Sequence, residues 1–261
     1  MLSRLKTWFG TRDDGAEEAT PLRARVELAR NIASIYVIPD IHGCYDELLD
    51  AEKRIYADAA ASEPEALRQI IYLGDYVDRG PRSADVIEHL IGEPQAGFER
   101  ICLCGNHDDV MCQFMIDPDG YADWLRYGGD ATLLSYGINV AGILRKKNLR
   151  RLRDEAVDVI PARHLEWLSR LPVVAYRARI IFAHAGIRPG IPLEQQSDED
   201  LMWIREPFLT EGPGEDLFVV HGHTIAPQVE FVRKRIGLDT GAYLTGKLEV
   251  LKITKNGPSI L

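Results

Sequence analysis

At 261 residues, with 46% hydrophobic and 27% charged content, the chain can bury one large core and has the composition of an ordinary soluble globular protein. A net charge of -9, from 40 acidic against 31 basic residues, excludes the basic footprint of a duplex-binding protein, so no stable nucleic-acid partner is expected. No apolar run is long enough for a transmembrane segment, and Cys44, Cys102, Cys104 and Cys112, which form no Cys-x-x-Cys pair, read as buried thiols of a cytoplasmic protein.

Residues 1–32 read as a flexible leader. Thr11-Arg12-Asp13-Asp14-Gly15-Ala16-Glu17-Glu18 is polar and unpatterned, and Leu2, Leu5, Trp8 and Phe9 suit a frayed terminus better than a short amphipathic anchor. One domain is expected over 33–261. It opens with a strand over 33–40, a helix from Asp46, a strand over 69–73, a helix from Ser83 with that serine as its cap, and a strand over 100–103. This is a βαβαβ opening. The section 109–170 reads as mostly helical, with breaks at Asp117-Pro118-Asp119-Gly120, Gly128-Gly129 and Gly137, and suits a cap or side wall. Short strands over 173–176, 179–183, 217–220, 229–232 and 248–254 then predict a second, largely antiparallel sheet. The expected fold class is mixed α/β, a two-sheet β-sandwich flanked by helices.

Chemistry is concentrated at strand ends. Asp40-Ile41-His42-Gly43, Gly74-Asp75-Tyr76-Val77-Asp78-Arg79-Gly80 and Gly105-Asn106-His107-Asp108 each follow an apolar run, as do His184-Ala185-Gly186 and His221-Gly222-His223-Thr224. A rigid sheet delivers such side chains to one point from distant places in sequence. Carboxylate, imidazole and amide oxygen together suit two metal ions, which activate water near neutral pH and clamp a phosphate.

In this order the segments resemble the calcineurin-like metallophosphoesterases, in their bacterial and phage-type serine/threonine phosphoprotein phosphatase branch, over residues 34–254. The resemblance implies that Asp40, His42 and Asp75 bind one metal, with Asp75 bridging to a second held by Asn106, His184 and His223. It implies His107 as general acid oriented by Asp78, and Arg79 with Arg205, from Trp203-Ile204-Arg205, as phosphate-binding groups. The implied cofactors are two divalent ions, manganese first, with iron, zinc or nickel as alternatives. The implied activity is hydrolysis of phosphorylated serine or threonine in a protein or peptide, by in-line attack of hydroxide bridging the metals. A symmetrical dinucleoside tetraphosphate hydrolase acting on a small phosphoester is the alternative, and a non-catalytic phosphoprotein-binding scaffold is the second. Oligomeric state is left open.

Other residues carry less. Pro39 stands where relatives usually have glycine, and Asp108 where the family motif has glutamate, so Asp108 is expected behind the ligands. His221 reads as support for His223, and Asp239-Thr240-Gly241 as support for the site. His89 and His164 read as packing or surface residues. Trp124, Leu125 and Tyr127 read as core ahead of a cleft wall, Arg188 as a solvated loop residue, and Arg233-Lys234-Arg235 as a solvated edge or basic rim.

Overall fold

Strands β2 (Ser34–Ile38) and β3 (Arg68–Tyr72) are buried along their whole length because their sheet is covered on both faces. Alternation sorts the side chains. Ile35, Val37 and Ile71 face Phe182, Val220 and Ile236 of the opposing sheet, whereas Tyr36, Ile38, Ile70 and Tyr72 face helices. The computed structural model describes residues 23–61, 66–140, 142, 148–214 and 216–261.

The first sheet has the order β11 (Gly257–Ile260), β10 (Leu251–Thr254), β2, β3, β4 (Phe98–Cys102). β2, β3 and β4 are parallel, and helices α1 (Tyr45–Ala60) and α2 (Ser83–Ile91) form the crossovers, as the βαβαβ reading expects. Leu48, Ala51, Ile55 and Ala59 make the buried stripe of α1. Ser83 is not a side-chain cap: Arg82 holds the cap position, and the Ser83 hydroxyl is buried 3.3 Å from that of Thr132.

The second sheet runs β1 (Arg25–Glu27), β5 (Val174–Arg177), β6 (Ile180–Ala183), β7 (Phe218–His221), β9 (Arg235–Gly237), β8 (Glu230–Val232). It is mixed and not largely antiparallel. The β1/β5, β6/β7 and β7/β9 pairs are parallel, and only β5/β6 and β8/β9 are antiparallel. The reason lies in the connections: the β6-to-β7 segment carries α7 (Asp198–Trp203) and α8 (Phe208–Glu211), long enough for a parallel crossover. The last long strand also changes sheet, since β10 pairs antiparallel with β2, Leu251 opposite Val37.

The proposed leader divides. Residues 1–22 lie outside the described residues, while Arg25–Glu27 pairs with β5 in the second sheet. Arg23 anchors this entry: its guanidinium donates to the carbonyls of Leu168, Ser169 and Leu171 and lies 2.8 Å from Asp109. The helical section comprises α3 (Asn106–Ile116), a 3-10 turn (Ala122–Tyr127), α4 (Gly129–Ser135), α5 (Leu149–Val159) and α6 (Ala162–Arg170). Its expected breaks fall between these elements, with Gly128 at φ 116° closing the 3-10 turn. Among the described residues no helix is long and apolar enough to cross a membrane.

Candidate metal centre

Two trios of parallel strands, β2/β3/β4 and β6/β7/β9, end at one edge of the sandwich, and the loops leaving them hold the chemistry. Asp40 and His42 follow β2, Asp75 follows β3, Asn106 opens α3 after β4, His184 follows β6 and His223 follows β7. All six are buried. His184 Nε2 and His223 Nδ1 each lie 2.9 Å from Asn106 Oδ1. Asp75 Oδ2 is 3.4 Å from His42 Nε2 and 3.6 Å from His184 Nε2, and the His223 amide donates to the Asp40 carboxylate at 3.1 Å.

These contacts fit cations. His42 Nδ1 donates to the Val77 carbonyl at 2.8 Å, and His184 Nδ1 to the Leu73 carbonyl at 3.0 Å. A carbonyl only accepts, so each Nδ1 carries the proton. Burial lowers both imidazoles, His42 to about 3, and leaves their Nε2 atoms as bare lone pairs. His42 Nε2 therefore faces a carboxylate oxygen and His184 Nε2 faces an amide oxygen, acceptor against acceptor. A cation relieves that repulsion. His223 Nε2 is buried with no hydrogen-bond partner among the described residues. Burial, then the charges of Asp239 and Asp75, push the Asp40 carboxyl up, and burial with Asp75 pushes Asp239 up to about 6. Positive charge offsets that crowding.

Ligand atoms fall into two groups, His42, Asp75 and His107, and Asp40, Asp75 and His184, each within 4.8 Å. Asp75 is common to both, the arrangement required of a bridge. The grouping differs from the expected division in setting Asp40 beside His184 rather than His42, and in bringing His107 into reach. His107, however, is already committed. Its Nδ1 donates to Asp78 Oδ2 at 2.6 Å, and Arg79 Nη2 donates to its Nε2 at 3.1 Å. Burial alone would pull the imidazole down, but the Asp75 charge and the Asp78 bond and charge outweigh it and raise it.

The loops are held in uncommon conformations. His42, Asp75, Asp78, Arg79 and His223 have φ between 48° and 73°, the left-handed region that costs a side-chain-bearing residue about 1–2 kcal/mol. Two glycines permit the convergence: a Cβ on Gly105 would lie 2.1 Å from Asp75 Oδ1, and one on Gly222 2.0 Å from Asp40 Oδ1. Asp108 lies behind these side chains, accepting the amides of Asp75 (2.8 Å), Gly105 (2.9 Å) and Tyr76 (2.9 Å), and so ties two motifs together.

A pocket of about 480 Å³ opens over these groups, lined by Asp40, Asp75, Asn106, His107, His223, Arg79 and Arg205, with Val110, Trp124, Tyr127 and Trp203 as walls. The exposed Arg205 guanidinium makes no hydrogen bond or ion pair among the described residues. His221 points away, 3.2 Å from Arg235, and His89 and His164 bond Glu52 and Glu88 elsewhere. Arg188 is paired with Asp200, and Arg235 with Glu230. Asp239 accepts the Gly241 amide at 2.8 Å.

Three contacts escape the sequence. The Trp124 indole reaches Asp78 at 2.9 Å and the Thr132 hydroxyl at 2.7 Å, while the Arg79 guanidinium rests 4.6 Å over the Tyr243 ring, itself 5.4 Å from His42. Of these residues the sequence marks Trp124, which reads as core ahead of a cleft wall.

A family model for calcineurin-like phosphoesterases matches residues 33–258. The bis(5'-nucleosyl)-tetraphosphatase PrpE (asymmetrical) of Halalkalibacterium halodurans is 25% identical over 241 residues, 83% of this chain and 88% of that protein. Among solved structures, a putative diadenosine tetraphosphatase superposes with a TM-score of 0.61 at 20% identity, covering 92% of this chain and 97% of that one. A cold-active protein-tyrosine phosphatase of a psychrophilic Shewanella gives 0.57 at 18%, covering 92% and 80%. Both structures share the fold, and the family model spans the strands and loops that bring the ligand set together. The chain therefore belongs to the calcineurin-like phosphoesterase family.

Proposed function

We propose that the protein is a manganese-supported hydrolase of nucleoside polyphosphates, cleaving a dinucleoside tetraphosphate asymmetrically. The carrying observation is the pair Trp203, 42% exposed, and Tyr127, 65% exposed, which wall the pocket from two separate elements beside Arg79 and Arg205. Large aromatics left in solvent next to a cationic, carboxylate-floored pocket suit a base stacked beside a phosphate chain. The printed name of the Halalkalibacterium relative supports the same substrate. Asp78, bonded to His107, also favours it over the symmetrical alternative, whose members tend to carry alanine at that position.

Asp40, His42, Asp75, Asn106, His184 and His223 would hold two divalent ions, and the mixed imidazole and carboxylate set suits manganese. When bound, the ions supply Lewis acidity and make water acidic enough to ionise near neutral pH. Arg79 and Arg205 bind the phosphate oxygens that the ions leave free. His107, held through Nδ1 by Asp78, presents Nε2 to the leaving oxygen and gives it a proton. Arg79 donates to that nitrogen at 3.1 Å, so the guanidinium must turn from Nε2 toward phosphate before Nε2 can carry a proton. Four cysteines, all free and buried, support a reducing, cytoplasmic setting.

The test compares diadenosine tetraphosphate, a phosphoserine or phosphothreonine peptide, and a chromogenic aryl phosphate, all with manganese. The dinucleotide should have the highest kcat/KM and yield one nucleoside triphosphate and one monophosphate. Trp203→Ala should raise its KM about 5- to 150-fold, the range of one stacked base, and leave the aryl phosphate unchanged. Faster turnover of the phosphopeptide restores the protein phosphatase reading. No turnover of any of the three leaves a binding scaffold.

A further inference from the structure

The Asp78 carboxylate is wholly buried and meets three donors, one from each of three residues. His107 Nδ1 donates to Oδ2 at 2.6 Å, Trp124 Nε1 to Oδ2 at 2.9 Å and to Oδ1 at 3.1 Å, and Thr132 Oγ1 to Oδ1 at 2.7 Å. The single indole N–H is shared between the two oxygens, so three donor hydrogens hold both sides of the carboxylate. Thr132 Oγ1 also accepts the Asp78 amide at 2.7 Å, closing a small ring that fixes the backbone and side chain of Asp78 together. The hydroxyl proton is thereby spent on Asp78, so in the 3.3 Å contact Ser83 Oγ must be the donor.

The section carrying these donors is shaped to the loop. Gly128 accepts the Arg79 amide at 3.3 Å, and a Cβ there would lie 2.5 Å from Arg79 N. A Cβ on Gly129 would lie 2.4 Å from the Trp124 ring. The glycine pair is therefore required by two close approaches, one to the Asp78-Arg79 loop and one to the indole that reaches it.

We propose that Trp124 and Thr132 are positioning residues for hydrolysis: they lock the Asp78 carboxylate in the one orientation that grips His107 Nδ1 and aims Nε2 into the pocket. The terminal torsion of a free aspartate is broad, and without the two donors Asp78 would hold the imidazole in several orientations. The inference rests on the reading of His107 as proton donor, and both residues act on it through Asp78.

Thr132→Val keeps the shape and removes the hydroxyl, Thr132→Ser restores it, and Trp124→Phe removes the indole donor. The first readout is the proton NMR signal of His107 Nδ1–H in metal-free protein, assigned by its loss in His107→Asn. A short bond to a carboxylate moves such a proton downfield and slows its exchange. Thr132→Val and Trp124→Phe should weaken or lose that signal, and Thr132→Ser should keep it. The second readout is kinetic. Thr132→Val should lower kcat about tenfold at unchanged KM for a phosphoester with a poor leaving group, hardly at all for one leaving as an acidic phenol, and Thr132→Ser should recover it. A folded Thr132→Val protein with the wild-type signal and wild-type leaving-group dependence overturns the proposal. Should Trp124→Phe not fold, the two threonine variants decide alone. If wild-type protein hydrolyses no phosphoester, the hydrolase reading falls, and the NMR comparison still decides whether Asp78 is locked.

Discussion

Replacing Asp108 by asparagine tests whether this buried carboxylate joins the second and third motifs. Its Oδ2 accepts the amides of Asp75 and Gly105, and its Oδ1 that of Tyr76. An asparagine oxygen can replace Oδ2, but its NH2 group then faces the Tyr76 amide, donor against donor. The Tyr76 N–H left unsatisfied costs about 1–3 kcal/mol, and the asparagine NH2 group facing it is a second buried donor without an acceptor. The sum is about 3 kcal/mol. For a chain of this size each kcal/mol moves Tm by about 2–4 °C, so Asp108→Asn should melt about 6–12 °C lower. The measurement belongs in chelator, by thermal and urea unfolding, so that metal affinity does not enter. Exposed Asp123, paired among the described residues with Arg126 at 3.8 Å, supplies the control: its asparagine variant should stay within about 2 °C. An Asp108→Asn protein melting with the control would refute the reasoning.

His107→Asn should keep near-normal manganese stoichiometry by equilibrium dialysis while turnover falls about 10²- to 10⁴-fold, and loss of the metals would mean that His107 is a ligand. Glu52 gives a pH test away from the site. Burial would raise its carboxyl, but bonds from His89 and Tyr72 and the charge of Arg100 outweigh burial and hold it below the usual glutamate range. A lowered folded-state value stabilises above the ordinary value, and that stability is lost as pH falls through the folded value. The urea midpoints of wild type and Glu52→Gln should therefore lie furthest apart near neutrality and converge in acid, and a constant gap would discount the charge.

The strand-end motifs were readable because metal chemistry restricts which residue types serve and a sheet restricts where they sit. Asp40, Asp75, Asn106, His184 and His223 each follow an apolar run, and they meet within a few ångströms of one another. Strand pairing was less accessible. A continuous apolar run marks 217–220 as a strand but says nothing of its neighbour, so the parallel β6/β7/β9 trio and the return of β10 to the first sheet are not legible in it. Arg25–Glu27 reads as leader because three residues of mixed polarity carry no periodic signal, and the strand Gly257–Ile260 is disguised by its glycine and proline. The Trp124 and Thr132 bonds to Asp78 span 46 and 54 residues, and nothing local announces them.

Trimming the polypeptide at Ala33, where the apolar pattern begins, would be a costly shortcut. It would strip the rim strand from β5 and remove the guanidinium that ties off the end of α6 and neutralises Asp109, two positions along from His107. A chain that begins at Arg23 keeps that clasp, so it should be more stable and turn over faster than one that begins at Ala33.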